Sequence, residues 1–139
     1  MTQPVPPHLQ WLEFAEKDLG VAQHLFDLYH PMPFEIICYL CQQSAEKAIK
    51  ALYIFTRLPG GVPRTHDLSM LLDQMRKQVH IDDSIYDDAD RLTPYATAGR
   101  YPSEIYFDEY GTQKALASAN TIGTWVRSII WPSDSTGSE

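Results

Sequence analysis

Apolar residues recur along this chain at intervals of three and four, the repeat that puts them on one face of an α-helix. A first helix is expected from about Leu9 to Tyr29, with Trp11, Ala15, Leu19, Ala22, Leu25, Phe26 and Tyr29 on its stripe. Pro6 and Pro7 suit its start, and Pro31 and Pro33 end it. The second runs from about Phe34 to Thr56, with Ile37, Leu40, Cys41, Ser44, Ala45, Ala48, Leu52 and Phe55 inward. Its stripe is small in the middle, which lets a neighbouring helix approach closely, so this is the expected central helix. The run Leu58-Pro59-Gly60-Gly61-Val62-Pro63 breaks it.

A third helix is expected from Thr65 or His66 to about Gln78, with Leu68, Leu71, Leu72 and Met75 inward. Thr65 is its candidate cap, and Asp67 in the first turn suits the positive end of the dipole. A fourth begins near Asp82 or Asp83, carries Ile85, Ala89 and Leu92, and ends around Tyr95. The fifth covers about Glu109 to Ile130, with Ala115, Ala119, Ile122, Val126, Ile129 and Ile130 inward. No segment alternates apolar and polar residues long enough to predict a strand. The fold class is therefore all-α, about five helices with short connections.

Composition narrows the class. A chain of 139 residues fits one domain, and its 44% hydrophobic and 21% charged residues are ordinary globular usage. The net charge of −7 disfavours indiscriminate binding to a phosphate backbone, so non-specific DNA binding is not expected. A local basic pocket for one nucleotide or one RNA end remains compatible with it. No apolar run reaches the roughly 18 residues of a membrane span. The N-terminus lacks the basic and apolar regions of a signal peptide, which makes the cytoplasm the expected location. Cys38 and Cys41 form a C-x-x-C inside a helical stripe rather than at a helix start, so two small buried thiols are expected in place of a redox pair.

Three places hold candidate chemistry. On the second helix Gln42, Glu46 and Lys50 share one stripe at spacing four, beside Gln43 and Lys47, so their ends can converge on one groove. A solvated face with a helix-stabilising Glu46–Lys50 pair fits the same spacing. Arg64-Thr65-His66-Asp67 sets an arginine before a helix start, an arrangement that can hold an anion. An ordinary cap with an incidental histidine fits as well. The loop Thr93 to Pro102 joins Arg100 to Tyr95 and Tyr101, a guanidinium that grips phosphate beside rings that offer a stacking face. The tyrosines could equally plug the bundle end. No metal is expected, because the five histidines (His8, His24, His30, His66, His80) form no ligand pair at a zinc spacing. No Gly-rich phosphate loop occurs, and no cofactor is expected.

The same residues carry a family resemblance. Trp11 to Leu25 reads W-x(3)-A-x(2)-D-L-x(2)-A-x(2)-L around Asp18-Leu19, and Cys38 to Leu52 reads CYLCQQSAEKAIKAL. Thr65-His66-Asp67-Leu68 and Gly99-Arg100-Tyr101-Pro102 follow in order. In this order and spacing the chain resembles the HEPN domain (higher eukaryotes and prokaryotes nucleotide-binding). The resemblance implies an up-and-down helical bundle over residues 9–131, preceded by an N-terminal extension at 1–8 and followed by a polar tail at 132–139. It also implies a homodimer. Many bacterial members are encoded beside a minimal nucleotidyltransferase and pair with it in toxin–antitoxin-like systems, where the domain helps to shape a nucleotide site.

Other members are metal-independent ribonucleases marked by an arginine and a histidine with four to six residues between them. This chain departs from that pattern: one residue separates Arg64 from His66, three separate Arg76 from His80, and no histidine follows Arg100. The first expectation is thus a non-catalytic nucleotide- or partner-binding module with Arg100, Tyr101 and Lys50 at its anionic site and His66 and Gln42 beside them. An atypical ribonuclease using His66 and Arg100, and a purely structural dimerisation domain, are the alternatives.

Overall fold

A computed structural model describes residues 4–97 and 105–132. It contains α1 (Pro7–Leu28), α2 (Phe34–Thr56), α3 (Leu68–Asp73), α4 (Asp83–Leu92), a 3-10 turn (Thr93–Ala96) and α5 (Glu109–Ile130). No strand occurs among the described residues. The start of α1 at Pro7 uses proline's preset φ at the first helical position, where its missing N–H is not needed.

The helices lie in the up-and-down order of a four-helix bundle. α2 doubles back on α1, so that the Ser44 hydroxyl donates to the Ala15 carbonyl at 2.7 Å while Lys47 reaches Asp18 at 2.6 Å. α4 returns in the direction of α1. It passes α3 with Tyr86 bonded to Asp73 and Asp90 bonded to Ser69, and ends where Thr93 accepts from the Leu68 amide. α5 then runs parallel to α2, its first turn beside Cys38 and its last near Glu16 of α1. α2 touches every other element of the bundle. The small residues in its middle, Ala45, Ala48 and Ala51, are buried, as are Ala15 and Ala22 of α1, which explains why this helix can be surrounded.

The inward stripes of α3, α4 and α5 are buried where expected: Leu68, Leu71, Leu72, Met75, Ile85, Ala89, Leu92, Ala115, Ala119, Ile122 and Val126. Several details differ. Phe55, expected inward, is exposed at the end of α2. Leu12 is buried on the inner face of α1, and Tyr29, one residue past the last helical residue Leu28, is exposed. Regular helix in α3 ends at Asp73, and a series of turns carries the chain on to Gln78. Its cap is Asp67, whose carboxylate accepts from the Met70 amide, and not Thr65, whose hydroxyl accepts from the Asp67 amide just outside the helix. α4 tightens into the 3-10 turn at Pro94, which has no N–H to continue an α-helical ladder. No helix is long and apolar enough among the described residues to cross a membrane.

Candidate functional site

The polar stripe of α2 is not solvated. Gln42 is fully buried and Glu46 is 5% exposed, because the chain crosses back over them after the Pro59–Pro63 turn. A buried carboxylate is tolerated only when its oxygens are hydrogen-bonded and its charge is paired. Both conditions are met. Lys50 donates to Oε2 of Glu46 at 2.6 Å, Gln42 Nε2 donates to Oε1 at 2.9 Å, and Nδ1 of His66 lies 2.9 Å from the same Oε1. Gln42 also lies within 3.4 Å of the His66 carbonyl, and Gln43 donates to Gln42 at 2.7 Å, so the cluster is closed at its inner end.

Burial alone would raise the Glu46 carboxyl. The hydrogen bonds from Lys50, Gln42 and His66, together with the Lys50 charge, outweigh it and hold the group below the ordinary carboxylate range. Glu46 therefore stays ionised at neutral pH and serves as a fixed anchor for two cationic or potentially cationic groups. The Lys50 side chain is 16% exposed and that of His66 is 62% exposed. With Nδ1 turned to the carboxylate, Nε2 of His66 is the nitrogen left for a ligand. As a neutral base it accepts a proton; as imidazolium it donates to an oxyanion.

Three of the five expected site residues, Lys50, His66 and Gln42, are thus brought together. Arg100 and Tyr101 lie outside the described residues. On either side of their stretch, Tyr95 and Phe107 meet with ring centroids 5.8 Å apart. Glu46 is the member that spacing leaves among solvated residues, and its role depends on a contact from a histidine 20 positions away. No signal in α2 singles it out, because Gln42, Gln43, Lys47 and Lys50 around it read as an ordinary polar face.

Other polar contacts are architectural. Asp18 and Lys47 join α1 to α2, while Ser118 of α5 is bonded to Asp88 and Arg91 of α4. Cys38 and Cys41 are free and buried, and desolvation raises both thiols, so neither is poised as a nucleophile. Among the described residues no group of three or more His, Cys, Asp or Glu side chains is placed to hold a metal ion. A hollow of about 460 Å³ on α1, lined by Lys17, Gly20, Val21, His24 and Leu25, contains none of the cluster residues.

Comparison with known proteins agrees with this architecture. The family model of the HEPN domain matches residues 8–129. TT1696 from Thermus thermophilus has a similar crystal structure, with a TM-score of 0.74 and 25% identity over 88% of this chain and 98% of that one. The crystal structure of ST0689, described as an archaeal HEPN homologue, is similar at a TM-score of 0.72 and 27% identity, over 91% of this chain and 99% of that one. No curated protein matches the chain.

Proposed function

The chain belongs to the HEPN domain family, and on that premise we propose that it is a nucleotide-binding module, without catalysis of its own, that works beside a minimal nucleotidyltransferase in a toxin–antitoxin-like pair. The observation that supports this reading is the anchoring of Lys50 and His66 on the two oxygens of the one buried Glu46 carboxylate. Prepositioned groups lose little freedom when a ligand arrives, and a phosphate beside them would meet the Lys50 ammonium on one side and the His66 ring on the other. Arg100 completes the anionic site in this reading, Tyr101 supplies a stacking face, and a homodimer places the site near an interface. The test is thermal melting of the purified protein with mono-, di- and triphosphate nucleotides. A ligand at a hundred times its dissociation constant adds about 2.7 kcal/mol of stability. The shift is expected to vanish in His66→Ala and Arg100→Ala; a shift of unchanged size in both would sink the site assignment.

A second reading is favoured by one specific contact. A carboxylate on Nδ1 fixes the tautomer that presents Nε2 as a general base, the arrangement used to deprotonate a hydroxyl. It suits an atypical metal-independent ribonuclease in which His66 takes the proton of a 2′-OH. Cleavage of single-stranded RNA in the presence of chelator, lost in His66→Ala, is its expected signature. Folded protein that leaves the RNA intact rules it out and leaves the binding module.

A further inference from the structure

The end of the bundle where α1 begins and α2 finishes is chemically unlike the rest of the molecule. The chain has 18 Asp and Glu residues, yet none lies in residues 1–12 or in residues 47–66. The second stretch holds Lys47, Lys50, Arg57 and Arg64. Lys47 and Lys50 are paired with Asp18 and Glu46 further along α2, and the two stretches meet at the end of the bundle where His8 packs on Phe55 beside Arg57.

A cavity of about 320 Å³ opens there, lined by Pro6, Pro7, His8, Ile54, Phe55 and Arg57. Its size is at the lower end of small-molecule sites, which run from about 300 to 1,000 Å³. The His8 and Phe55 rings meet at 5.3 Å and 56°, and form an aromatic wall against the two prolines and Ile54. Arg57 supplies the polar edge. It has no ion pair among the described residues, and it caps α2 in the left-handed conformation, φ 55° and ψ 46°, that glycine usually fills. α1 starts beside it with no acidic residue in its first turn. An arginine kept where glycine would be relaxed, unpaired, and at the rim of an aromatic-walled cavity has the chemistry of an oxyanion fork next to a stacking surface.

We infer that this cavity is a second ligand site, which binds a small aryl oxyanion: a flat ring seated on His8 and Phe55 with its phosphate or carboxylate on Arg57. It is separate from the Glu46 cluster, and it stands or falls without the nucleotide reading.

The test is an NMR titration of the full chain with phenyl phosphate, benzoate and inorganic phosphate. Saturable shifts of the His8 and Phe55 rings and the Arg57 side chain are expected with an aryl anion. Phenyl phosphate binding tighter than benzoate would identify the phosphate as the anion, and the reverse order the carboxylate. Inorganic phosphate is expected to bind at least about tenfold more weakly than phenyl phosphate, since it has no ring to seat. Arg57→Gly is the decisive variant: glycine suits φ 55°, so the fold should melt no lower than the parent while the saturable shifts disappear. Equal binding of inorganic phosphate would overturn the aromatic wall. Unchanged titration of Arg57→Gly, or shifts confined to His66 and Lys50, would overturn the site.

Discussion

Nδ1 of His66 lies 2.9 Å from Oε1 of Glu46, a contact that ties the residue just before the cap of α3 to the middle of α2. Glu46 is the point at which the fold and the candidate chemistry share an atom. Its carboxylate orients an exposed imidazole, neutralises a half-buried lysine, and would be costly if either donor were withdrawn.

Glu46→Gln should therefore destabilise the protein at neutral pH by about 2 kcal/mol, because Lys50 loses its counter-charge in a partly buried place. The gap should depend on pH. The folded-state carboxyl titrates below its unfolded value, so the wild-type advantage is complete above the ordinary carboxylate range and is lost as pH falls through the folded value. Urea denaturation of both proteins at several pH values measures this. A gap that is constant into acid would contradict the role given to the ionised carboxylate.

Ala48→Leu should cost about 2 kcal/mol or more, since Ala48 is 1% exposed in the small-residue middle of α2 and a larger side chain has no room. Chemical denaturation reads it directly. A neutral effect would mean that the helices around α2 can separate without loss.

The cap of α3 separates two neighbouring threonine and aspartate substitutions. Asp67→Ala removes the acceptor for the Met70 amide and should cost about 1 kcal/mol. Thr65→Ala lies outside the helix and should stay within about 0.5 kcal/mol. The reverse order of melting temperatures would restore Thr65 as the cap.

Both cysteines should be silent toward a thiol reagent in native buffer and react together on denaturation. Cys38 and Cys41 are 1% and 0% exposed, and burial raises both thiols. Rapid labelling of the native protein would show that the α2–α5 seam opens easily.

Much of the fold is legible in the sequence because periodicity reports burial one helix at a time. The stripes Leu68–Leu71–Leu72 and Ala115–Ala119–Ile122–Val126 need no tertiary knowledge. The polar site is harder for a physical reason. Gln42, Glu46 and Lys50 at spacing four look the same whether water or another segment covers them, and only the return of the chain at His66 decides between the two. Tyr29 falls on the wrong side because periodicity does not see where a proline-bound helix stops. Arg57 escapes notice because a left-handed cap leaves no trace in a sequence that uses arginine for it.

The position of α2 among α1, α3, α4 and α5 also sets a clock. No neighbour covers this helix alone, so its amides can meet solvent only when several elements come away at once. Backbone protons from Ile37 to Leu52 should be the slowest in the molecule to exchange for deuterium, at a rate set by global unfolding, while those of α3 and the turns after it are replaced through small local openings. The lifetime of the folded chain against proteases is then written in one helix, and it can be timed there.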